Sequence, residues 1–167
     1  PVRVGQPQVA YRECIKTTFE QEAEFEKEIS GKKHYGKVLL KIEKNDDSET
    51  VEFESRVEKK VPPEFIKAAE LGSVQALQVG PHGYPMTKVK ITLQDIQYDS
   101  DLTTDLGSKL AASAAVKEAA RHAGTDILEP IFFIEVTTPD EYLGDVIADL
   151  NSRQGRIEGI GQKMIYR

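Results

Sequence analysis

The residues of this 167-residue chain that stand closest together with chemistry in common are Lys32, Lys33, Lys37 and Lys41, with His34 among them and no acidic residue between positions 30 and 41. Four cations on so short a stretch suit contact with phosphate groups, a task that needs charge and reach rather than a nucleophile. The chain as a whole carries 22 Lys and Arg against 28 Asp and Glu, a net charge of −6. An acidic body with basic stretches binds phosphate at chosen points and suppresses indiscriminate binding elsewhere. A second basic stretch lies at residues 151–167, where Arg153, Arg156, Lys163 and Arg167 are opposed by Glu158 alone.

Other chemistries lack their residues. A P-loop needs a glycine five positions before its Gly-Lys and a hydroxyl after it, but Gly31-Lys32 has Glu26 and Lys33 there. The three histidines, His34, His82 and His122, accompany no Gly-x-Ser-x-Gly elbow and no Cys-His signature. Asp99, Asp101 and Asp105 imitate part of a calcium loop, yet Leu110 occupies its twelfth position and the central glycine is missing. The single cysteine, Cys14, has no disulfide partner or metal-ligand spacing and reads as a small buried apolar residue.

The elements that must carry the lysines follow from period and punctuation. With 39% hydrophobic and 30% charged residues the composition is that of a globular chain, and its length allows one domain plus part of another. No apolar run approaches the roughly 20 residues of a membrane span, and residues 1–10 lack a signal-peptide pattern, so a cytoplasmic fragment with no membrane partner is expected. Residues 19–29 alternate strictly, with five glutamates on one parity and Phe19, Ala23, Phe25 and Ile29 on the other, a strand with one wet face. A turn at Ser30-Gly31 leads into a second strand through Val38, Leu40 and Ile42, and a polar turn at 45–48 into a third with Val51, Phe53 and Val57, an antiparallel meander. Pro62-Pro63 opens a helix with the stripe Ile66, Ala69, Ser73 and Leu77, closed by Gly80. Residues 86–93 form a fourth strand with Val89, Ile91 and Leu93 inside. Thr103 or Thr104 then caps a long helix through Leu106, Leu110, Ala114 and Val116, ended by Gly124. The order βββαβα is followed by a restart: a strand at 131–136, a helix with Thr138 as N-cap, Pro139 at its first position, Glu141 completing a capping box and Gly155 at its end, then a strand or hairpin piece at 156–167.

Several strings are longer than chance alternation supplies. They are Val4-Gly-Gln-Pro-Gln-Val-Ala-Tyr-Arg-Glu13, Tyr35-Gly36, the alanine-rich 111–119 ending Val-Lys-Glu-Ala, Glu129-Pro130, and Glu135-Val-Thr-Thr-Pro-Asp-Glu-Tyr-Leu-Gly-Asp-Val-Ile-Ala-Asp-Leu-Asn-Ser-Arg153-Gln-Gly155. Together they resemble elongation factor G, the ribosomal translocation GTPase, over nearly the whole chain. The resemblance implies that residues 1–126 are the family's fourth domain, an α+β unit of ribosomal-protein-like fold with a left-handed β-α-β crossover, against the general right-handed rule. Residues 127–167 are implied to be the first part of its fifth domain, a partial ferredoxin-like β-α-β. Such a half-domain is expected to pack on its neighbour or to associate weakly with a second copy through its open strand, the fragment being otherwise monomeric.

The resemblance further implies the ribosome as partner, with the fourth domain's tip entering the small-subunit decoding region beside tRNA and mRNA, and the fifth domain near large-subunit RNA. Carried over to this chain, the RNA-contacting residues are Gly31, Lys32, Lys33, His34, Tyr35 and Lys37 in a first tip loop, Tyr98 and Asp99 in a second, and Arg153 and Arg156 in the half-domain. Lys32, Lys33 and His34 are expected together in an exposed turn, with residues 98–104 beside it and Lys33 near Asp99 or Asp101. Where the family has a histidine after the second loop's tyrosine, this chain has Asp99, an anion that repels phosphate and suggests a diverged paralogue, for recycling or stress. The fragment is expected to be non-catalytic and without cofactors of its own, GTP and magnesium being implied for a domain upstream. A stand-alone RNA-binding module, or less favourably a small enzyme using the acidic loop, are the alternative readings.

Overall fold

The structure, a computed structural model, describes residues 10–130, 137–153 and 155–157. The chain divides into two compact units, Pro1–Pro130 and Ile131–Arg167. In the first, strands β1 (Arg12–Ile15), β2 (Phe19–Ile29), β3 (Lys32–Lys44) and β4 (Val51–Ser55) precede helix α1 (Pro63–Ala76), and β5 (Val89–Gln97), helix α2 (Asp105–Ala123) and β6 (Thr125–Leu128) follow it. The α+β class is as expected.

The alternation of residues 19–29 is realised as β2, whose outer glutamates are exposed while Phe19, Ala23, Phe25 and Ile29 are half-buried. It pairs antiparallel with β3 from Phe19 opposite Ile42 to Ile29 opposite Lys32. The expected meander does not continue. The sheet order is β2-β3-β5-β4, with β5 antiparallel to β3 and parallel to β4, so α1 is the crossover of a β-α-β unit. Burial explains the insertion: Val89, Ile91 and Leu93 are fully buried and require a strand on both sides, whereas the half-exposed β4 suits an edge.

Helix α2 starts and stops as its sequence signals. The Thr104 hydroxyl oxygen accepts the Gly107 N–H, and Gly124 ends the helix at φ 73°. Its buried face is displaced from the expected line of Leu106, Leu110, Ala114 and Val116, of which Val116 alone is fully buried. Ala111, Ala112, Ala115, Val116, Ala119, Ala120 and Ala123 face the core, Leu106 and Leu110 are half-buried and Ala114 is exposed. Close approach selects alanine there: a methyl group on Gly72 of α1 would collide with the Lys109 carbonyl of α2. Helix α1 ends at Ala76, before Gly80. Gly80 serves another purpose, because a side chain on it would collide with the carboxylate of Glu13.

Glu13, on β1, is fully buried. Its carboxylate accepts the His82 N–H at 3.0 and 3.2 Å, the Tyr84 N–H at 3.0 Å and the Thr125 hydroxyl at 2.8 Å. Its backbone adds bonds to Pro85 O and from Thr87 N. One charged side chain thus ties β1, the loop after α1 and the start of β6. Because β6 pairs antiparallel with β1, Ile15 opposite Thr125 and Arg12 opposite Leu128, residues 125–128 pack within the first compact unit, Pro1–Pro130. Cys14 is buried beside it, as read from the sequence.

In the second unit a 3-10 turn, Asp140–Tyr142, runs into helix α3, Leu143–Ser152, with Leu143, Val146, Ile147 and Leu150 half-buried. The capping box is not formed. Pro139 stays extended at ψ 145° ahead of the turn rather than inside it, and the Thr138 hydroxyl donates to the Pro139 carbonyl. Gly155 closes the segment by donating its N–H to Leu150 O at 2.9 Å. The strand expected at 131–136 lies outside the described residues, as do positions 158–167 of the final piece, while 156–157 have no regular structure.

Replacing Glu13 by glutamine turns one acceptor into a donor facing buried N–H and O–H groups. Glu13→Gln is therefore expected to lower unfolding stability by about 1–3 kcal/mol. Urea unfolding checks this, with the exposed Glu70→Gln, expected within about 0.5 kcal/mol of the parent, as control.

Candidate nucleic-acid interface

The basic stretch begins in a hairpin of the tightest kind. Ile29 pairs with Lys32, leaving Ser30 and Gly31 as a two-residue turn with φ of 51° and 80°. Both positive values match the type I′ turn, whose twist suits paired strands. β5 accompanies β3 only as far as Lys37 opposite Gln97. From there to Lys32 the β2–β3 ribbon runs on without a third strand, roughly 17 Å at 3.3 Å per residue.

What holds this ribbon is the start of α2. The Thr104 N–H donates to Tyr35 O at 3.0 Å, Tyr35 also bridges to Thr103, and His34 Nδ1 lies 3.0 Å from Thr104 Oγ1. Gly36 and Gly107 touch backbone to backbone, so a methyl group on either would collide with the other segment. Residues 98–104 are thereby beside the ribbon, as expected of the second loop. Asp99 organises that loop: its Oδ1 accepts the N–H of Asp101 at 2.8 Å and of Leu102 at 3.2 Å, and its own N–H donates to Thr103 Oγ1 at 2.9 Å. Tyr98 is 40% exposed and its ring packs against Phe65, centroids 5.3 Å apart.

The lysines separate into two kinds. Lys37 stands opposite Glu24 and binds Glu22 at 3.3 Å and Glu24 at 3.9 Å, which holds its ammonium above the ordinary lysine range, chiefly through the Glu22 bond. Lys41 pairs with Glu43 at 3.7 Å. Lys32 and Lys33 are exposed and make no ion pair among the described residues, so the expected pairing of Lys33 with Asp99 or Asp101 is not formed. Register does not make the split, because Glu28 stands opposite Lys33 as Glu24 stands opposite Lys37, yet among the described residues only Lys37 closes on carboxylates of β2, while Lys41 closes on Glu43 of its own strand.

His34 departs from the expected exposed turn. It lies within β3 and is buried, facing Thr104, while Lys32 and Lys33 beside it are exposed. The signal was present: His34 shares the parity of Gly36, Val38, Leu40 and Ile42, the inward set of β3. Tyr35, half-buried, has its phenol pushed above the usual value by burial and then by Glu24. In the second unit Arg153 is exposed and pairs with Asp149 at 3.1 Å, and Arg156 is exposed. Glu13 has no counterpart among the expected site residues; its partners lie 69 to 112 positions away, beyond any local pattern.

GTP and magnesium do not fit the described residues. Gly31-Lys32 sits in a turn between antiparallel strands and not at a helix N-terminus, and no group of three His, Cys, Asp or Glu among the described residues could hold a metal ion. No described helix is long and apolar enough to cross a membrane.

Comparison with known proteins adds sequence kinship to this geometry. A family model described as Elongation factor G, domain IV, matches residues 7–124, and one described as Elongation factor G C-terminus matches residues 126–165. Curated proteins called Elongation factor G from Thermotoga maritima and Thermotoga neapolitana are each 42% identical over 163 residues, 95% of this chain. The chain spans about a quarter of their length, 24% in both cases. A crystal structure of a Thermus thermophilus protein matches with a TM-score of 0.82 at 31% identity, over 95% of this chain and 24% of that one.

The glycine contact is testable without any partner. Gly36→Ala is expected to destabilise the chain by about 1–3 kcal/mol through overpacking against α2. Gly31→Ala, with open space around it, is expected to lose only the about 1–2 kcal/mol of left-handed backbone. Thermal or urea unfolding of the two variants, combined with a double variant Gly36→Ala/Gly107→Ala that exceeds both, checks the assignment.

Proposed function

This chain belongs to the elongation factor G family, and on that premise we propose that it is the RNA-contacting lever of a ribosomal translocation factor. The hairpin turn with Lys32 and Lys33 enters the decoding region of the small subunit beside tRNA and mRNA. The observation that carries the reading is the placement, at the end of a ribbon on a chain of net charge −6, of two exposed lysines that make no ion pair among the described residues. Lys37 and Lys41 along the ribbon are held by carboxylates, whereas Lys32 and Lys33 at its end, although Glu28 stands opposite Lys33, make no ion pair among the described residues and are the cations offered to phosphate.

Within this reading the roles divide. Lys32 and Lys33 neutralise phosphate, and Gly31 gives the turn its positive φ without a side chain in the way. Tyr35 and Lys37 are shaft residues, Lys37 being occupied by Glu22. Tyr98 offers a partly exposed ring for stacking at the shaft, and Asp99 has its charge answered by two backbone N–H groups. Arg153 and Arg156 supply a separate contact to ribosomal RNA from the second unit. The chain catalyses nothing itself. Its cytoplasmic work on the ribosome is coupled to GTP and magnesium bound by a domain outside residues 1–167. Two family models matching in series favour a part of a larger factor over a stand-alone RNA-binding module.

Small-subunit binding of this chain, measured against salt concentration, tests the reading. Lys32→Ala/Lys33→Ala is expected to weaken binding and to lower the slope of log affinity against log salt by about one per lysine. Lys37→Ala, which removes a cation already paired, is expected to leave the slope nearly as it is. Equal slopes for the parent and the double variant contradict the proposal.

A further inference from the structure

The buried histidine of the ribbon bonds to the cap of α2. Thr104 Oγ1 accepts the Gly107 N–H at 3.0 Å, the N-cap of α2, and lies 3.0 Å from His34 Nδ1. A hydroxyl oxygen has one proton and two lone pairs, so the Thr104 hydroxyl holds the Gly107 N–H and Nδ1 together with either imidazole tautomer. The same oxygen therefore caps α2 and grips β3.

The position of this bond along the ribbon gives it a purpose. Beyond Lys37 opposite Gln97 the ribbon has only two strands, and a two-stranded hairpin alone is marginal in water. Its attachments to the body run from Gly36 through Tyr35 to His34, and His34 is the one nearest the turn. Lys33 and Lys32, the next residues outward, are exposed. Where His34 is held, the free end of the ribbon is two residues and a turn; if it were released, the free end would lengthen back toward Tyr35.

We propose that His34 is a positioning residue: its Nδ1 hydrogen-bonds the Thr104 hydroxyl and so bolts the basic hairpin to the first turn of α2, fixing how far Lys32 and Lys33 can swing. It touches no RNA. The purpose rests on the ribosomal reading of the hairpin, whereas the bond and its mechanical effect do not.

Amide hydrogen exchange on the whole chain tests this directly. In His34→Phe, which keeps a buried ring and loses the ring nitrogen, amides of residues 29–36 are expected to exchange about threefold to tenfold faster. Amides of Ile91 and Leu93 in β5 are expected to be unchanged. His34→Asn, whose side-chain amide reaches the place of Nδ1 and can donate or accept there, is expected to restore slow exchange. Equal acceleration in the Phe and Asn variants, or acceleration spread evenly over the unit, would overturn the proposal. Small-subunit binding of the same proteins separates the two ideas: a parent chain that does not bind refutes the ribosomal reading while the exchange result decides the bolt.

Discussion

The interaction on which the tip depends is the seating of β3 at Tyr35-Gly36 on the first turn of α2. Two glycines, Gly36 and Gly107, let the backbones meet where any side chain would hold them apart. At that distance the Thr104 N–H reaches Tyr35 O, Thr103 bridges to Tyr35, and the Thr104 side chain reaches His34. A helix N-terminus leaves N–H groups without partners inside the helix, and here the cap and the strand share that end. The ribbon thereby gains on one side the support that β5 stops giving at Gln97.

Charge along the ribbon follows the ion pairs rather than the register alone. Alternation places Glu20 opposite Lys41, Glu24 opposite Lys37 and Glu28 opposite Lys33, but Lys37 closes on Glu22 and Glu24, Lys41 on Glu43 of its own strand, and Lys33 on none of the described carboxylates. The four lysines that look like one patch in the sequence become a paired shaft and an unpaired end. Salt bridges this exposed contribute little stability, about 0–1 kcal/mol each. Their effect is to remove positive charge from the sides of the ribbon and leave it at the turn. Asp99, an anion that reads from the sequence as an obstacle to phosphate, is drawn into its own loop by the N–H groups of Asp101 and Leu102.

Local pattern carried part of this arrangement. The eleven-residue alternation of β2 and the Thr104 and Gly124 ends of α2 are written in adjacent residues and are found where expected. Strand order was not legible, because the pairing of β4 with β5 is decided by which strand must be covered on both sides, a property of the assembled sheet. The four-residue strands β1 and β6 are too short for a period to show, and the carboxylate that joins them to the loop after α1 acts across 69 to 112 positions. The capping signals at Thr138, Pro139 and Glu141 were present and were not used, since Pro139 remained extended. His34 was misplaced for a different reason: its basic neighbours suggested a turn, while its parity with Val38 and Leu40 already marked it as inward.

The assignment of the hairpin end, rather than the sheet, as the surface that meets RNA is open to one direct measurement. Cys14 is buried and does not compete for a thiol-directed probe, so a hydroxyl-radical source can be tethered at Ser30→Cys in the turn and, separately, at Glu52→Cys on the exposed side of β4. With the chain bound to small ribosomal subunits, strand scission of ribosomal RNA in the decoding region is expected from the Ser30 tether and little or none from the Glu52 tether. Scission from Glu52 with none from Ser30, or equal scission from both, would contradict the assignment.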